Sequence, residues 1–347
     1  MAKRLNIAMI GCGGISGSHM PNILNTPEMN LVATMDPLEE GVRPNGRRIG
    51  AKVRAEEGNA DYHTDDLDRV LSDPDVDAVL VFSTHDTHAE LVQKACAAGK
   101  HIFCEKPLAM TLDEARAIQK AVHESGVLLM GGWWFKHSPI TRRLLEVIHQ
   151  PYHIFFTCRV KYEKPDDPEG PYGRDGILDC SGYNLHWIWQ VMRSQPVEVF
   201  AMGCNRQPTN TSTIVIRFEN GGLGTSVYST LGGGGILPKH YAEVHAGTVS
   251  AATLRFGNLV FEGTDAPGIE GNTYHNGFDE EMGMFARACL EGGPSPMDAW
   301  EACIPTLIFE KAVESMRTGQ PVAVDITREF YLPDGKLPAS IERFGDL

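Results

Sequence analysis

The chain has 347 residues, enough for two ordinary domains that each bury a core. Its formal net charge of -14, with no recurring Lys/Arg-rich stripe, argues against nucleic acid or an anionic membrane as the main partner. The eight cysteines form no C-x-x-C pair, so neither a zinc site nor a disulfide framework is predicted, and no metal is assigned. We expect a small-molecule ligand and a cytoplasmic location, since no signal peptide or transmembrane segment is predicted.

The first predicted element is a buried strand that runs into a glycine-rich turn, LNIAMIGCGGISGSHM. The turn has the form G-x-G-x-x-G, with Ser16 in the third glycine position. A second strand, NLVATMD, ends in Asp36, about 25 residues after the first glycine, near the spacing of a ribose-binding acid. Asp36 would repel a 2′-phosphate, so NAD is favoured over NADP, although Arg43 and Arg47 lie nearby. The cofactor contacts predicted from this unit are Gly11, Gly13, Gly14, Ile15 and Asp36.

The alternation of strand and helix continues through residue 125. DPDVDAVLVFST is a strand, THAELVQKACAAGK is the helix after it, and HIFCEKP and LLMGGWWF supply further parallel strands. Residues 1-125 are therefore predicted to be a doubly wound Rossmann domain, whose ligands bind outside the carboxyl ends of the strands. The cofactor contacts expected there are Thr84, His85, His88, Glu105 and Lys106. His85 and His88 flank a helix start without a third regularly spaced ligand, which favours a capping role over a metal site.

Residues 126-347 have a different hydrophobic pattern. Alternating strand-like runs broken by glycine turns predict a C-terminal α/β domain with a large, mostly antiparallel open sheet. The helix SGYNLHWIWQVM interrupts these strands. The chain ends in helices that are predicted either to belong to this second domain or to pack back on the first domain. Trp133 and Trp134 follow the end of a strand. They are expected either to line the site of the nicotinamide and substrate or merely to pack between the domains. Arg174, in a polar loop, contacts substrate or only solvent.

IGCGGISGSHM and THAELVQKACAAGKHIFCEKPLAMTLDEARAI closely resemble the Gfo/Idh/MocA family of NAD(P)-dependent oxidoreductases. The likeness extends to FARACLEGGPSPMDAW and ESMRTGQPV near the end of the chain, and Glu-Lys-Pro is its most specific marker. The resemblance implies a Rossmann domain followed by an α/β domain whose sheet often serves oligomer contacts, so a homodimer or homotetramer is expected. It also implies a sugar, inositol or related polyol as substrate.

The family has a pattern Asp-x-Gly-x-His in a helix of the second domain, where the histidine usually serves as acid/base. ILDCSGYNLHWIWQ places Asp179 on the aspartate, Ser181 on the glycine and Tyr183 on the histidine, which is a departure. Some sugar oxidoreductases of the family are similar in having tyrosine here. NAD-dependent glycosidases similar to the family use a tyrosine with a histidine three residues later, and Tyr183 and His186 match that spacing too. The reaction class stays open at this point.

The residues also suggest a chemistry directly. Oxidising a carbinol removes a hydride and a proton, so a base is needed beside the oxygen and a nicotinamide beside the carbon. Lys106 and Tyr183 supply that polarity, since a cation near a phenol lowers its pKa from about 10. Asp179, Tyr183 and His186 are spaced i, i+4 and i+7, so a helix presents all three on one face. The alternative is a capping aspartate with a core tyrosine and histidine.

The sequence thus predicts an NAD(P)-dependent dehydrogenase or reductase that acts on a secondary hydroxyl, or the matching ketone, of a sugar, glycoside or cyclic polyol. Two alternatives are a glycosidase with retained NAD and a non-catalytic dinucleotide-binding regulator. The predicted catalytic residues are Lys106, Asp179, Tyr183 and His186, the predicted substrate contacts are Lys106, Trp133, Arg174, Asp179 and Tyr183, and Trp134 is a further predicted cofactor contact.

Overall fold

The computed structural model describes residues 3–159, 175–206, 209–229, 239–254, 257–271 and 276–344. The chain divides into two compact units, the first comprising Met1–Ala109, Asp113–Gly132 and Phe278–Ala302, the second Met110–Leu112, Trp133–Gly277 and Cys303–Leu347. The late segment Phe278–Ala302 groups with the first unit, which is one of the two placements that the sequence left open for the C-terminal helices.

The first unit is built on a six-stranded parallel sheet in the order β5-β2-β1-β6-β7-β8. The strands of the unit are β1 Leu5–Ile10, β2 Met29–Met35, β3 Gly41–Val42, β4 Arg48–Ile49, β5 Tyr62–Thr64, β6 Ala78–Val81, β7 His101–Glu105 and β8 Leu129–Gly132, of which β3 and β4 form a separate hairpin. The helices are α1 Ser16–Leu24, α2 Ala51–Gly58, α3 Leu67–Ser72, α4 His88–Ala97, α5 Leu112–Ser125 and α9 Asn276–Glu291. The strand order reverses direction between β1 and β6, and ligands bind at such a reversal in doubly wound sheets.

The apolar content of the strands explains why this sheet forms. All four residues of β6 are 0 % exposed, as expected for a parallel strand covered by helices on both faces. Phe103 of β7 meets Phe285 of α9 with ring centroids 5.8 Å apart, and the Gly131 amide donates to the Met297 carbonyl at 2.9 Å. These contacts tie the late helical segment to the parallel sheet.

The second unit is built on an eight-stranded sheet in the order β15-β14-β13-β9-β12-β11-β10-β16. Its strands are β9 His153–Arg159, β10 Pro196–Arg206, β11 Thr209–Phe218, β12 Leu223–Ser229, β13 His240–Ala246, β14 Val249–Leu254, β15 Asn258–Glu262 and β16 Val322–Ala323. Its helices are α6 Trp134–His137, α7 Pro139–Val147, α8 Asp175–Met192, α10 Ile304–Thr318, α11 Ile326–Glu329 and α12 Ala339–Glu342. Neighbouring strands are antiparallel except β9 and β12, which confirms the predicted mostly antiparallel sheet.

Helix α8 is fixed to this sheet by apolar and polar contacts. Trp187 packs edge-on against Phe156 of β9, with ring centroids 5.3 Å apart, and its indole N–H donates to the Thr141 hydroxyl at 2.9 Å. The Asn184 amide donates to the Ser226 hydroxyl at 3.0 Å. These contacts set the rotation of the helix that carries the predicted acid/base. Across the described ranges, no helix is both long and apolar enough to cross a membrane.

Candidate active site

The glycine-rich turn after β1 has the geometry of a dinucleotide-binding turn. Gly11 has φ +90°, and a Cβ there would stand 2.5 Å from the Ser83 backbone nitrogen, so only glycine fits. A Cβ at Gly13 would meet nothing within 4 Å, which leaves open space beside the turn. In dinucleotide-binding turns the first glycine makes the tight turn and the second lets the backbone approach the pyrophosphate, and both positions here meet these requirements.

Ser16 replaces the third glycine and is integrated into the turn. Its hydroxyl donates to the Gly13 carbonyl at 2.8 Å and accepts from the Arg54 Nε at 2.9 Å. Arg54 is 4 % exposed and pairs with Glu57 at 2.5 Å, so the guanidinium is held in place behind the turn. Sequence reasoning missed Arg54, because it lies 38 residues after Ser16 and no local pattern connects the two.

Asp36 lies where the sequence predicts it, at the carboxyl end of β2 beside the turn. One carboxylate oxygen accepts from the Cys12 amide at 2.6 Å and the other accepts from the Leu38 amide at 2.8 Å. The carboxylate is therefore fixed, half-buried, next to the first residues of the glycine turn. Burial, followed by the Asp36 charge, raises the pKa of the Cys12 thiol to about 12, so Cys12 stays a thiol at neutral pH.

Glu105 forms a buried pair with a histidine that the sequence reasoning missed. Its Oε1 lies 2.6 Å from Nε2 of His19, and its Oε2 accepts from the Lys106 amide at 3.0 Å. Burial opposes ionisation of Glu105, but His19 and Lys106 outweigh that effect and lower its pKa. The His19 ring stacks on Phe82 at 4.5 Å, which leaves it 0 % exposed. The carboxylate therefore ties α1 to the end of β7, and the cofactor contact of Glu105 stays a prediction from the sequence.

His88 also supports the segment that carries Lys106. Its Nδ1 lies 2.8 Å from the Pro107 carbonyl, and burial lowers its pKa to about 4. The neutral ring therefore donates to Pro107 and, at 0 % exposure, has no free surface for a ligand. His88 therefore positions Pro107, and its cofactor contact stays a prediction from the sequence. Thr84, by contrast, is exposed at the carboxyl end of β6, and His85 beside it is half-buried.

Lys106 follows Glu105 directly at the carboxyl end of β7, and its side chain is half-buried. The peptide bond from Lys106 to Pro107 is cis. The backbone on both sides is held, by Glu105 at the Lys106 amide and by His88 at the Pro107 carbonyl. Lys106 is thus the least buried residue of a fixed segment at the edge where doubly wound sheets bind ligands.

In the second unit, Tyr183 lies among aromatic rings. Phe135 is the nearest at 4.6 Å between centroids, Trp133 meets it edge-on at 5.5 Å, and Trp134 lies 6.1 Å away. Tyr183 is half-buried, whereas Trp133 and Trp134 are 1 % and 3 % exposed. The two tryptophans therefore pack against Tyr183, and their predicted contacts with nicotinamide and substrate stay predictions.

His186 lies deeper than Tyr183. It is 1 % exposed and stacks on Trp133 with centroids 5.5 Å apart. The neighbouring His137 is equally buried, and its pKa is lowered well below the usual value by burial, then by Lys136 and His186. No acid/base role was predicted for Lys136 and His137. In the sequence they are only two polar residues shortly after two tryptophans, and no motif marks them.

The structure describes the backbone of Asp179 but not its side chain, and it does not describe Arg174. Helix α8 runs without a break through positions 179, 183 and 186, so the predicted single face is confirmed for the backbone. The Asp179 side chain and the whole of Arg174 lie outside the described residues. Within the described ranges, no group of three or more His, Cys, Asp or Glu side chains is arranged to hold a metal.

A parallel sheet with this turn, this acid and a lysine at the end of β7 is the arrangement expected of a dinucleotide-binding domain. Residues 5–132 match the profile of the Gfo/Idh/MocA oxidoreductase family, described as having an NAD-binding Rossmann fold. The chain is 26 % identical to the uncharacterized oxidoreductase YrbE of Bacillus subtilis, over 95 % of this chain and 99 % of that protein. It is also 26 % identical to myo-inositol 2-dehydrogenase of Thermotoga maritima, over 92 % and 99 % of the two chains.

A solved structure of levoglucosan dehydrogenase, in complex with NADH and levoglucosan, shares this fold with a TM-score of 0.79. The sequence identity is 20 %, over 93 % of this chain and all of that one, so the comparison concerns the fold. Together with the profile match and the full-length relatives, it confirms the predicted fold and enzyme class. Residues 5–132 thus match the NAD-binding Rossmann domain of the Gfo/Idh/MocA oxidoreductase family, and nearly the whole chain is similar to a myo-inositol 2-dehydrogenase.

Proposed function

We propose that the protein is an NAD-dependent dehydrogenase that acts on a secondary hydroxyl of a sugar, glycoside or cyclic polyol, or on the matching ketone. The observation that carries this proposal is the similarity, over nearly the whole length, to a myo-inositol 2-dehydrogenase. The held Glu105-Lys106-Pro107 segment and the half-buried Tyr183 are consistent with it, since carbinol oxidation needs a cation and a base near the oxygen.

The proposed preference for NAD over NADP rests on Asp36. Its carboxylate is held by the Cys12 and Leu38 amides, so it cannot easily turn away from an incoming group. A carboxylate at this place accepts hydrogen bonds from a ribose 2′-hydroxyl and repels a 2′-phosphate. Calorimetry on cofactor-free protein should therefore give a lower Kd for NAD than for NADP, and the reverse order would contradict this assignment.

The proposed catalytic roles follow from residue chemistry. Bound NAD supplies the hydride acceptor. Lys106 places an ammonium beside the substrate oxygen and stabilises the charge that develops as the proton leaves. Tyr183 takes that proton, and the aromatic rings around it hold the phenol in a single orientation. Asp179 and His186 are proposed as its supporting partners, and the association of both units with one substrate stays a prediction from the sequence.

The direct test is an assay with a panel of sugars, inositols and glycosides plus NAD, in which NADH is followed by absorbance. We expect NADH to form with at least one cyclic polyol or sugar, and Tyr183→Phe serves as the matched control that retains the ring packing. A panel that produces no NADH, and whose ketone counterparts consume none, would contradict the proposal. We also infer a homodimer or homotetramer from the resemblance, and a monomeric mass by light scattering would contradict that inference.

A further inference from the structure

A short hairpin follows the strand that carries Asp36 and is fastened to the glycine-rich turn. Strands β3 and β4 are joined by a turn in which the Arg43 amide donates to the Arg47 carbonyl at 2.9 Å. At the end of the hairpin, the Gly50 amide donates to the Cys12 carbonyl at 3.0 Å. The hairpin is therefore attached to the backbone that the dinucleotide approaches.

The side chain of Arg43 reaches from this hairpin to the turn. A Cβ at Gly14 would overlap Nη1 of Arg43 and would stand 3.2 Å from its Cζ. The guanidinium thus lies against Gly14, in space that any other residue at position 14 would fill. The side of Gly13 next to it is open. Arg43 therefore borders the open space over the turn.

No acid neutralises Arg43 within the part of the chain that the structure describes. Three nearby cations do have acidic partners: Arg48 pairs with Glu40 and Glu56, Lys52 with Glu40, and Arg54 with Glu57. Arg43 and Arg47 are both exposed and, among the described residues, their guanidinium groups have no hydrogen-bond or ion-pair partner. A chain with a net charge of -14 thus keeps an unpaired cation directly on its glycine-rich turn.

The position of the guanidinium indicates which anion it binds. Asp36 places a negative charge at Cys12, which disfavours a phosphate on the ribose side of the turn. Arg43 lies further along, at Gly14, close to Ser16, where α1 begins and where Rossmann domains bind the pyrophosphate. We propose that Arg43, carried on the β3–β4 hairpin, binds the pyrophosphate of the dinucleotide. This inference rests on the proposed function, because it requires that the first unit binds NAD.

The test compares Arg43→Gln with Arg47→Gln, two exposed arginines of the same hairpin. Cofactor-free proteins are titrated with NAD, ADP-ribose, adenosine and NADP in a calorimeter. Arg43→Gln should weaken NAD and ADP-ribose binding by about 10-fold or more, as expected for loss of a charged hydrogen-bond donor, and leave adenosine binding unchanged. Arg47→Gln should bind every ligand like the wild type. Arg43→Lys, which keeps the charge, should recover part of the lost affinity.

Three results would overturn the inference, and they differ from one another. Equal affinities of Arg43→Gln and wild type for NAD and ADP-ribose would remove Arg43 from the site while NAD binding stands. A loss confined to NADP would assign Arg43 to a 2′-phosphate. Failure of the wild-type protein to bind NAD or ADP-ribose would overturn both the inference and the proposed function.

Discussion

Among single residues, Lys106 is the first on which the proposed catalysis depends. Its backbone is held on both sides and its side chain is half-buried, and a substrate contact is the role proposed for it. Lys106→Ala should lower kcat/KM by about 100-fold or more and leave NAD affinity nearly unchanged. Steady-state kinetics and calorimetry measure the two quantities. The matched control is Lys120→Ala, which removes an exposed lysine paired with Glu124 and should behave like the wild type. If Lys106→Ala turns over at nearly the wild-type rate, Lys106 does not contact the substrate and is a surface residue.

The second prediction at this scale assigns the proton to Tyr183. Tyr183→Phe retains the packing against Trp133 and Phe135 and removes only the hydroxyl, so kcat should fall by about 100-fold or more while NAD binding survives. His186→Asn should cost less in kcat, because His186 is 1 % exposed and stacks behind Tyr183 on Trp133. The reverse ranking would make His186 the acid/base.

The residues that could be predicted from the sequence are those in local patterns. The glycine turn, Asp36 and Glu105-Lys106-Pro107 each lie within a few residues of a strand end, so their positions follow from the elements. His19 and Arg54 were missed because their partners lie 86 and 38 residues away, and only folding brings them together. The sequence also did not show how deeply side chains are buried, and His88 is completely enclosed in the folded chain.

At the scale of elements, buried histidines should govern the pH dependence of stability. His88 sits at the start of α4 with its pKa lowered to about 4, whereas an unfolded histidine has a pKa of about 6.5. Between these values the unfolded chain binds the extra proton, so stability falls as pH falls from about 6.5 to about 4. The full effect is about 3 kcal/mol, from roughly 1.4 kcal/mol for each pH unit. His137 contributes in the same direction, since burial also lowers its pKa.

This predicts a specific change in a thermal unfolding series. His88→Asn should lower Tm at neutral pH, because a buried side chain is changed, but its Tm should fall less steeply than that of the wild type between pH 6.5 and 5. Exposed His123 provides the control, since His123→Asn should leave the slope unchanged. Parallel Tm curves for His88→Asn and wild type would show that His88 does not remain neutral in the folded chain.

The elements themselves were largely predictable. Continuous apolar runs followed by glycine or polar turns located the parallel strands, and alternation located β9 to β15. Their order in the second sheet was not predictable, because β9 pairs in parallel with β12 and antiparallel with β13, which no local pattern specifies. The short β3–β4 hairpin was missed too, since two-residue strands carry no periodic signal.

At the scale of the whole molecule, chain order and spatial grouping differ. The C-terminal helices were predicted either to stay in the second domain or to pack back on the first, and residues 278–302 group with the first unit, where α9 packs on β7. The enzyme class did not depend on that detail, since it follows from the turn, the acid and the family match over residues 5–132. The sequence does not decide between two reactions, because Tyr183 with His186 fits both a dehydrogenase and a glycosidase with retained NAD.

Net hydride transfer from a secondary hydroxyl to NAD can be followed directly with isotopically labelled substrates. The protein is incubated with NAD and aryl glycosides and cyclic polyols deuterated at the carbinol carbons, and NADH, its deuterium content and released aglycone are followed together. We predict NADH in proportion to oxidised product, with one deuterium on the nicotinamide ring and no aglycone release. Release of aglycone without accumulation of NADH would contradict the account.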